Sequence, residues 1–188
     1  MIKSRIKNLR KLIEQHNLDG YIIPKNDAYF SEYSSPDRLK VITNFNGSAG
    51  FAIILKKKNY LFVDGRYTIQ AQKQSGKFFR ILEIPKFSPK SILKNKSKKF
   101  ILGFDPQLFT SASLKNRFNN IFNLVPITEN LIDKICKKES VRSVKQFYVL
   151  NDKIVGEKMT SKISKLVEII KLKKMAYMRN FGHDGPEA

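Results

Sequence analysis

The sequence predicts an α/β fold in which a mixed β-sheet is flanked by helices. Two observations carry that prediction. Short apolar runs alternate with amphipathic or capped helical stretches along roughly the first 135 residues, the pattern of a largely parallel or mixed sheet covered by helices. Two of the runs, FAIIL and YLFVD, are separated only by lysines and Asn59, a connection short enough for a hairpin and too short for a crossover.

The elements follow in order. Ile2, Ile6, Leu9 and Ile13 fall on one helical face, with Leu12 beside them and lysines opposite, so a first helix is expected to end near Asn17. Gly20 opens YIIP, a short buried strand stopped by Pro24. The stretch KNDAYFSEYSSPDRLKVITNF is polar and aromatic with weak periodicity and reads as a long loop holding a short helix near Asp37 to Ile42. Strands over 51–55 and 60–64 come next. A helix then starts after Gly65 and carries Tyr67, Ile69 and Gln70 toward Gln74. FFRILEI is a third apolar run, closed by Pro85; SPKSILKN is a short helix and FILGFD a strand. TSASLKNRFNNIF reads as a helix capped by Thr110 or Ser111. NLVPI is the last strand and ENLIDKICKK a short closing helix.

A boundary comes next. Residues 141–156 read as a polar linker. Beyond them Met159, Ile163, Leu166, Val167 and Ile170 mark another amphipathic helix, and KMAYM is a candidate strand. The final RNFGHDGPEA has no periodicity, and 179–188 are expected to be disordered. A lone helix with an apolar stripe cannot bury that stripe by itself.

Composition bounds the function. At 188 residues, 41% hydrophobic and 28% charged, the chain is in the globular range and large enough for a sizeable core. No apolar run approaches the roughly 20 residues of a membrane span. The start MIKSRIKNLRKLIEQHN lacks the apolar core of a signal peptide. A basic amphipathic start can mimic a mitochondrial presequence, but Glu14 is uncharacteristic of one and the pattern runs straight into a strand. The single cysteine, Cys136, rules out an internal disulfide. A reducing, cytoplasmic location is the expectation.

The net charge of +20 favours an anionic partner. Lysine supplies 28 of the 36 basic residues and arginine 8, yet arginine is the better bidentate reader of phosphates and bases. The lysines are scattered, with short clusters at 56–58, 94–99 and 171–174 and no single stripe. Solvated faces and a lysine-rich composition account for most of this charge. A nucleic-acid role stands as an alternative.

Candidate chemistry is sparse. A zinc or manganese site needs several convergent His, Cys or carboxylate ligands, whereas His16, His183 and Cys136 sit in unrelated places. His16 falls at the end of the first helix, where an imidazole can meet the last carbonyls. Cys136 reads as a buried, inert thiol on an inward helix face. Ser31, Ser34, Ser35 and Ser48 have no histidine nearby in sequence. NGSAG lacks the spacing and lysine of a phosphate loop and precedes a strand. Its role is conformational, with Gly47 and Gly50 giving backbone freedom. In DGRY, Asp64 can cap the helix that comes after it, and Arg66 stands at the carboxyl end of a strand, where open α/β sheets place ligand or partner contacts. An internal salt bridge to Glu32 or Asp27 is the competing reading of Arg66.

Several blocks, taken in order, resemble the N-terminal domain of Xaa-Pro aminopeptidases in the creatinase/prolidase superfamily. They are the strand ending at Pro24, then DAYFSEY, NFNGSAGFAII, LFVDGRYTIQAQKQ, LGFDP and LVPITENLIDKI. GEKMTSKISKLVEIIKLKKMAYM resembles the first helix and strand of the second domain of three-domain members. Two departures stand out: relatives usually carry tryptophan at the position of Cys136, and RNFGHDGPEA matches nothing in the family. The resemblance implies a creatinase-like domain of ribonuclease H-like architecture over 1–140, a linker over 141–156, and a truncated second domain over 157–178. It implies a metallopeptidase whose two manganese or zinc ions lie in a C-terminal pita-bread domain, held by ligand motifs this chain lacks. The chain itself is therefore expected to hold no cofactor and to be inactive alone. Its implied tasks are oligomerisation, with itself or with the catalytic domain, and walling the active-site cleft. Peptide substrate is expected only in the full-length enzyme; neither nucleic acid nor membrane is an expected partner. Asp27, Ser31, Glu32, Tyr33, Gly47, Ser48, Arg66 and Tyr67 are the residues the resemblance places at that wall or interface. A regulatory subunit docking on a separate catalytic chain is a further alternative.

Overall fold

The computed structural model describes residues 2–31, 36–93, 100–118, 122–136 and 148–172. The chain divides into two compact units, Met1–Val141 and Arg142–Ala188.

The first unit is built on one six-stranded sheet. Its strands are β1 (Gly20–Pro24), β2 (Gly50–Leu55), β3 (Asn59–Asp64), β4 (Arg80–Ile84), β5 (Ile101–Phe104) and β6 (Asn123–Pro126), in spatial order β4-β3-β2-β1-β5-β6. β2 is antiparallel to both its neighbours, while β3–β4, β1–β5 and β5–β6 pair in parallel. The sheet is therefore mixed, as expected. Its helices are α1 (Ile2–Gln15), α2 (Arg38–Thr43), α3 (Thr68–Ser75), α4 (Pro89–Ile92), α5 (Ser111–Phe118) and α6 (Leu131–Ile135).

β1, β2 and β3 read as nearly unbroken apolar runs because both faces of the sheet are covered there, while β4 and β6 at its edges are largely exposed. The pleat sends Tyr21, Ile23, Ala52, Ile54, Leu61 and Val63 to one face, where they pack with Leu9 and Ile13 of α1, Leu39 and Ile42 of α2 and Leu131 of α6. It sends Ile22, Phe51, Ile53, Phe62, Leu102 and Phe104 to the other, against Leu108, Phe109, Phe118 and Phe122. On α1, Ile2, Ile6, Leu9 and Ile13 are all buried. Each such side chain contributes about 1.5–3 kcal/mol, against a few tenths of a kcal/mol for intrinsic helix preference, so packing dominates the stability of α1. Arg10 fastens the helix to the β2–β3 hairpin: its Nε donates to the Leu55 carbonyl at 3.0 Å and its Nη2 to Asn59 Oδ1 at 2.9 Å.

Caps set several boundaries. Asp37 accepts from the Lys40 amide to start α2, and Asn44, at φ 67°, ends it in the left-handed region. Ser88 and Ser91 form a reciprocal capping box on α4. Of the two hydroxyls expected to cap α5, Thr110 does so, accepting from the Ser113 amide at 3.1 Å. The helix expected directly after Gly65 opens instead as a 3-10 turn over Gly65–Tyr67. A second 3-10 turn, Pro106–Leu108, follows Asp105, where no helical turn was expected.

Cys136 corrects one expectation. It is half-buried rather than buried, because α6 stops at Ile135 and Cys136 continues in extended backbone. His16 lies in the exposed turn after α1, its amide bonded to the Leu12 carbonyl.

In the second unit, α7 (Asp152–Val155) is a helical turn inside the stretch read as linker, and α8 (Met159–Leu172) is the expected amphipathic helix. Met159, Ile163, Leu166, Val167 and Ile169 on α8 are exposed. The candidate strand KMAYM, the tail 179–188 and His183 lie outside the described residues. Among the described residues no helix is long and apolar enough to cross a membrane.

Candidate functional site

β1, β3, β4, β5 and β6 all run one way and β2 the other. Their carboxyl ends and the start of β2 therefore share one end of the sheet. Three loops meet there, after β1, before β2 and after β3.

The loop after β1 is held by its own side chains. Asp27 Oδ1 accepts from the amides of Tyr29 at 2.9 Å and Ser31 at 3.0 Å, the short-range turn that aspartate favours. Asn26 Nδ2 donates to the Leu108 carbonyl at 3.0 Å and so ties the loop to the segment after β5. Lys25 forms an ion pair with Asp37, the cap of α2. So anchored, the loop carries Phe30 at φ 57°, a conformation a bulky residue rarely adopts. Tyr29 is 91% exposed and Phe30 53%. Sequence reasoning passed over this aromatic pair; the available signal was an aspartate two residues before Tyr29.

NGSAG forms the bend into β2. A Cβ on Gly47 would lie 2.3 Å from Phe45 Cζ and 3.0 Å from Tyr67 Cδ1, so only glycine leaves room for those rings. Phe45 and Tyr67 meet edge to face at 5.8 Å. Ser48 Oγ and the Tyr67 hydroxyl share a hydrogen bond of 2.8 Å. Asn46 Oδ1 accepts from Gln70 at 2.6 Å and Gln74 at 2.8 Å, fastening the bend to α3.

DGRY completes the set. Asp64 Oδ1 accepts from the Arg66 amide and from Arg66 Nε, both at 2.9 Å. The expected cap is present, and at this turn Asp64 is an ion partner of Arg66 that the two alternatives weighed from sequence, Asp27 and Glu32, did not include. The Arg66 side chain is 74% exposed and its guanidinium stands 5.5 Å from the centre of the Tyr67 ring. The bonds from the Arg66 side chain and amide hold the Asp64 carboxyl below the usual carboxylate range. A depressed folded pKa means the ionised cap persists as pH falls through the ordinary carboxylate value and is lost only below it. Carboxyl NMR titration is expected to place Asp64 below 3.8 and to find it raised in Arg66→Ala; a titration unmoved by the substitution would show that the arginine does not set it.

Asp27, Ser31, Gly47, Ser48, Arg66 and Tyr67 thus occupy one end of the sheet. Glu32 and Tyr33 lie outside the described residues.

A second polar group, not anticipated, lies under α6. Asp105, buried, accepts from Asn130 Nδ2 at 2.7 Å and from the Gln107 amide at 2.9 Å. Arg38 grips Asp133 through two bonds of 2.9 and 2.7 Å. Burial pushes the nearby Tyr21 phenol above its ordinary pKa. The Tyr21 hydroxyl makes no hydrogen bond among the described residues. These contacts fasten α6 and α2 to the sheet.

The described acids of this chain form no metal cluster of their own. Among the described residues no three His, Cys, Asp or Glu side chains converge. Asp27, Asp37, Asp64, Asp105 and Asp133 are each engaged by backbone amides, lysine, arginine or asparagine.

The fold defines an α/β domain with a mixed sheet, the loops after β1 and β3 and before β2 lying at one end of it. The chain belongs to the Creatinase/Prolidase N-terminal domain family, whose model matches residues 5–135. It is 33% identical over 184 residues to the "Probable Xaa-Pro aminopeptidase P" of Penicillium rubens, an alignment covering 92% of this chain and 30% of that protein. Among solved structures, the X-prolyl aminopeptidase of Caenorhabditis elegans, described as a cytosolic enzyme with a di-nuclear active site, superposes with a TM-score of 0.72 at 24% identity. That match covers 93% of this chain and 32% of the enzyme. An aminopeptidase P structure from Streptococcus thermophilus matches with a TM-score of 0.55 at 23% identity, over 71% of this chain and 97% of that one. The chain thus spans about 30% of the length of the curated relatives it matches.

Proposed function

We propose that this chain acts as the non-catalytic N-terminal domain of an Xaa-Pro aminopeptidase, an enzyme that removes the residue preceding proline. In this reading it walls the active-site cleft and presents a surface for assembly with the catalytic portion or with further copies. The observation that carries the reading is the family match over 5–135 in a chain spanning about 30% of its relatives' length. The loop cluster supports it: Ser48, Arg66 and Tyr67 are held together at the end of the sheet where α/β folds place contacts. The two metal ions, in this reading, belong to the catalytic portion, where they polarise the scissile carbonyl; this chain's residues position and enclose. A cytoplasmic location fits the single cysteine.

The purified chain is expected to release no N-terminal residue from an Xaa-Pro peptide with manganese added. It is expected to capture a separately expressed pita-bread catalytic portion in a pull-down, and Arg66→Glu is expected to weaken that capture tenfold or more without altering the circular dichroism spectrum. Turnover that survives repurification and vanishes with chelator would overturn the non-catalytic reading. Failure of the unsubstituted chain to capture the catalytic portion would overturn the assembly reading.

A further inference from the structure

At the opposite end of the sheet, beneath the β2–β3 hairpin turn, lies a cavity of about 520 Å³ lined by Leu55, Lys56–Lys58, Tyr60 and Phe100 among others. Its size falls within the roughly 300–1,000 Å³ of small-molecule sites. The floor is apolar: Leu55 and Leu93 are buried, and Ile92 and Phe100 partly so. The rim is cationic. Lys56 is paired with Asp19 at 3.3 Å, and Asp19 is itself held by the Ile101 amide at 2.9 Å. Lys57 and Lys58, both exposed, have no ion partner among the described residues.

Tyr60 supplies an independent observation. Its side chain is only 5% exposed and lines the cavity. Its hydroxyl makes no hydrogen bond among the described residues, and unlike that of Tyr21 it is not sealed from open space. The Tyr60 hydroxyl opens to the cavity space with no hydrogen-bond partner among the described residues, so it is a donor available to whatever enters there. Lys57 and Lys58, without an ion partner among the described residues, place two positive charges on the cavity lining that attract an anion. Packing alone explains the apolar floor, but not a phenol and two cations beside the same space.

We infer that this cavity binds a small ligand with an anionic head group on an apolar body. The head accepts a hydrogen bond from the Tyr60 hydroxyl and charge-assisted bonds from Lys57 and Lys58, and the body covers Leu55, Leu93 and Phe100. A carboxylate and a phosphate monoester share that chemistry. The cavity lies at the opposite end of the sheet from the loops after β1, before β2 and after β3, so the site is separate from the proposed cleft wall.

Isothermal titration of the whole chain with octanoate, octyl phosphate and neutral 1-octanol tests the inference. Saturable one-site binding of at least one anion is expected, with 1-octanol at least tenfold weaker; the ratio of the two anions identifies the preferred head group. Lys57→Glu combined with Lys58→Glu is expected to weaken anion binding at least tenfold. Tyr60→Phe, which keeps the ring in the core, is expected to weaken it severalfold, with circular dichroism unchanged in both variants. No saturable binding of either anion, equal binding of the alcohol, or full affinity in either variant would overturn the assignment.

Discussion

Replacing Phe62 with alanine is expected to destabilise the first unit by about 4 kcal/mol. Phe62 lies in the middle of β3 with no exposed surface. It sits directly opposite Phe51 on β2, the rings stacked with centroids 4.6 Å apart and planes within 6°. Phe51 in turn meets Phe118 of α5 edge to face at 6.4 Å. Arg117 lies across Phe51 at 5.0 Å, its pKa lowered by burial. Truncating a buried phenylalanine costs about 3–5 kcal/mol, because the cavity left behind collapses only in part. The lost ring pair is worth about 0.5–1.5 kcal/mol. Against a total of about 5–15 kcal/mol for a typical domain, the loss approaches unfolding. Urea titration followed by circular dichroism is expected to show a lower midpoint at unchanged slope. Phe62→Leu, which keeps most of the volume, is expected to lose less than half as much. A change below about 1 kcal/mol for the alanine variant would contradict the packing described for this face.

The second large effect is expected at Gly50, the first residue of β2. Gly50→Ala is predicted to cost about 3 kcal/mol, although glycine-to-alanine changes at compatible sites usually stabilise by about 0.4–1 kcal/mol. Two causes add. Its φ is 153°, a region L-residues rarely adopt, at about 1–3 kcal/mol. The added Cβ would also stand 2.7 Å from the Phe62 carbonyl oxygen. That atom belongs to the neighbouring strand's backbone and cannot swing aside, so the overpacking term of about 1–3 kcal/mol applies. Gly156 is the control. It has φ 74° and, among the described residues, nothing within 4 Å of its added Cβ, so Gly156→Ala should cost about 1 kcal/mol, from strain alone. Thermal melts of the two variants check the difference. Equal shifts would mean that the approach to Phe62 carries no weight.

Much of the candidate site was legible in the order of its residues. Asp64 capping the turn after β3 is expected of a carboxylate two residues before the amide it receives. The conformational role of NGSAG is expected of two glycines entering a strand. The partners of those residues were not legible. Arg66 was weighed against Asp27 and Glu32 across a loop; Asp64, two residues away, is a partner that reading did not include and engages its side chain at no loop-ordering cost, while Glu32 lies outside the described residues. Phe30 was hidden because its left-handed backbone comes from the anchoring of the loop by Asp27 and Asn26. Asp105 in LGFDP matched a family block as sequence, yet its bond to Asn130 spans 25 residues and the Arg38–Asp133 pair spans 95.

By itself the amino-acid sequence determined the elements and most of their ends. The face of α1, the hairpin of β2 and β3, and the caps at Asp37, Ser88 and Thr110 are each governed by residues within a turn or two of one another. Only the tertiary structure decided that β1 lies between β2 and β5, which brings the loops after β1 and β3 and before β2 to one end and leaves Lys57, Lys58 and Tyr60 at the other. Strand order depends on connections that must cross the sheet and pack upon it, and no local pattern of residues encodes where they return.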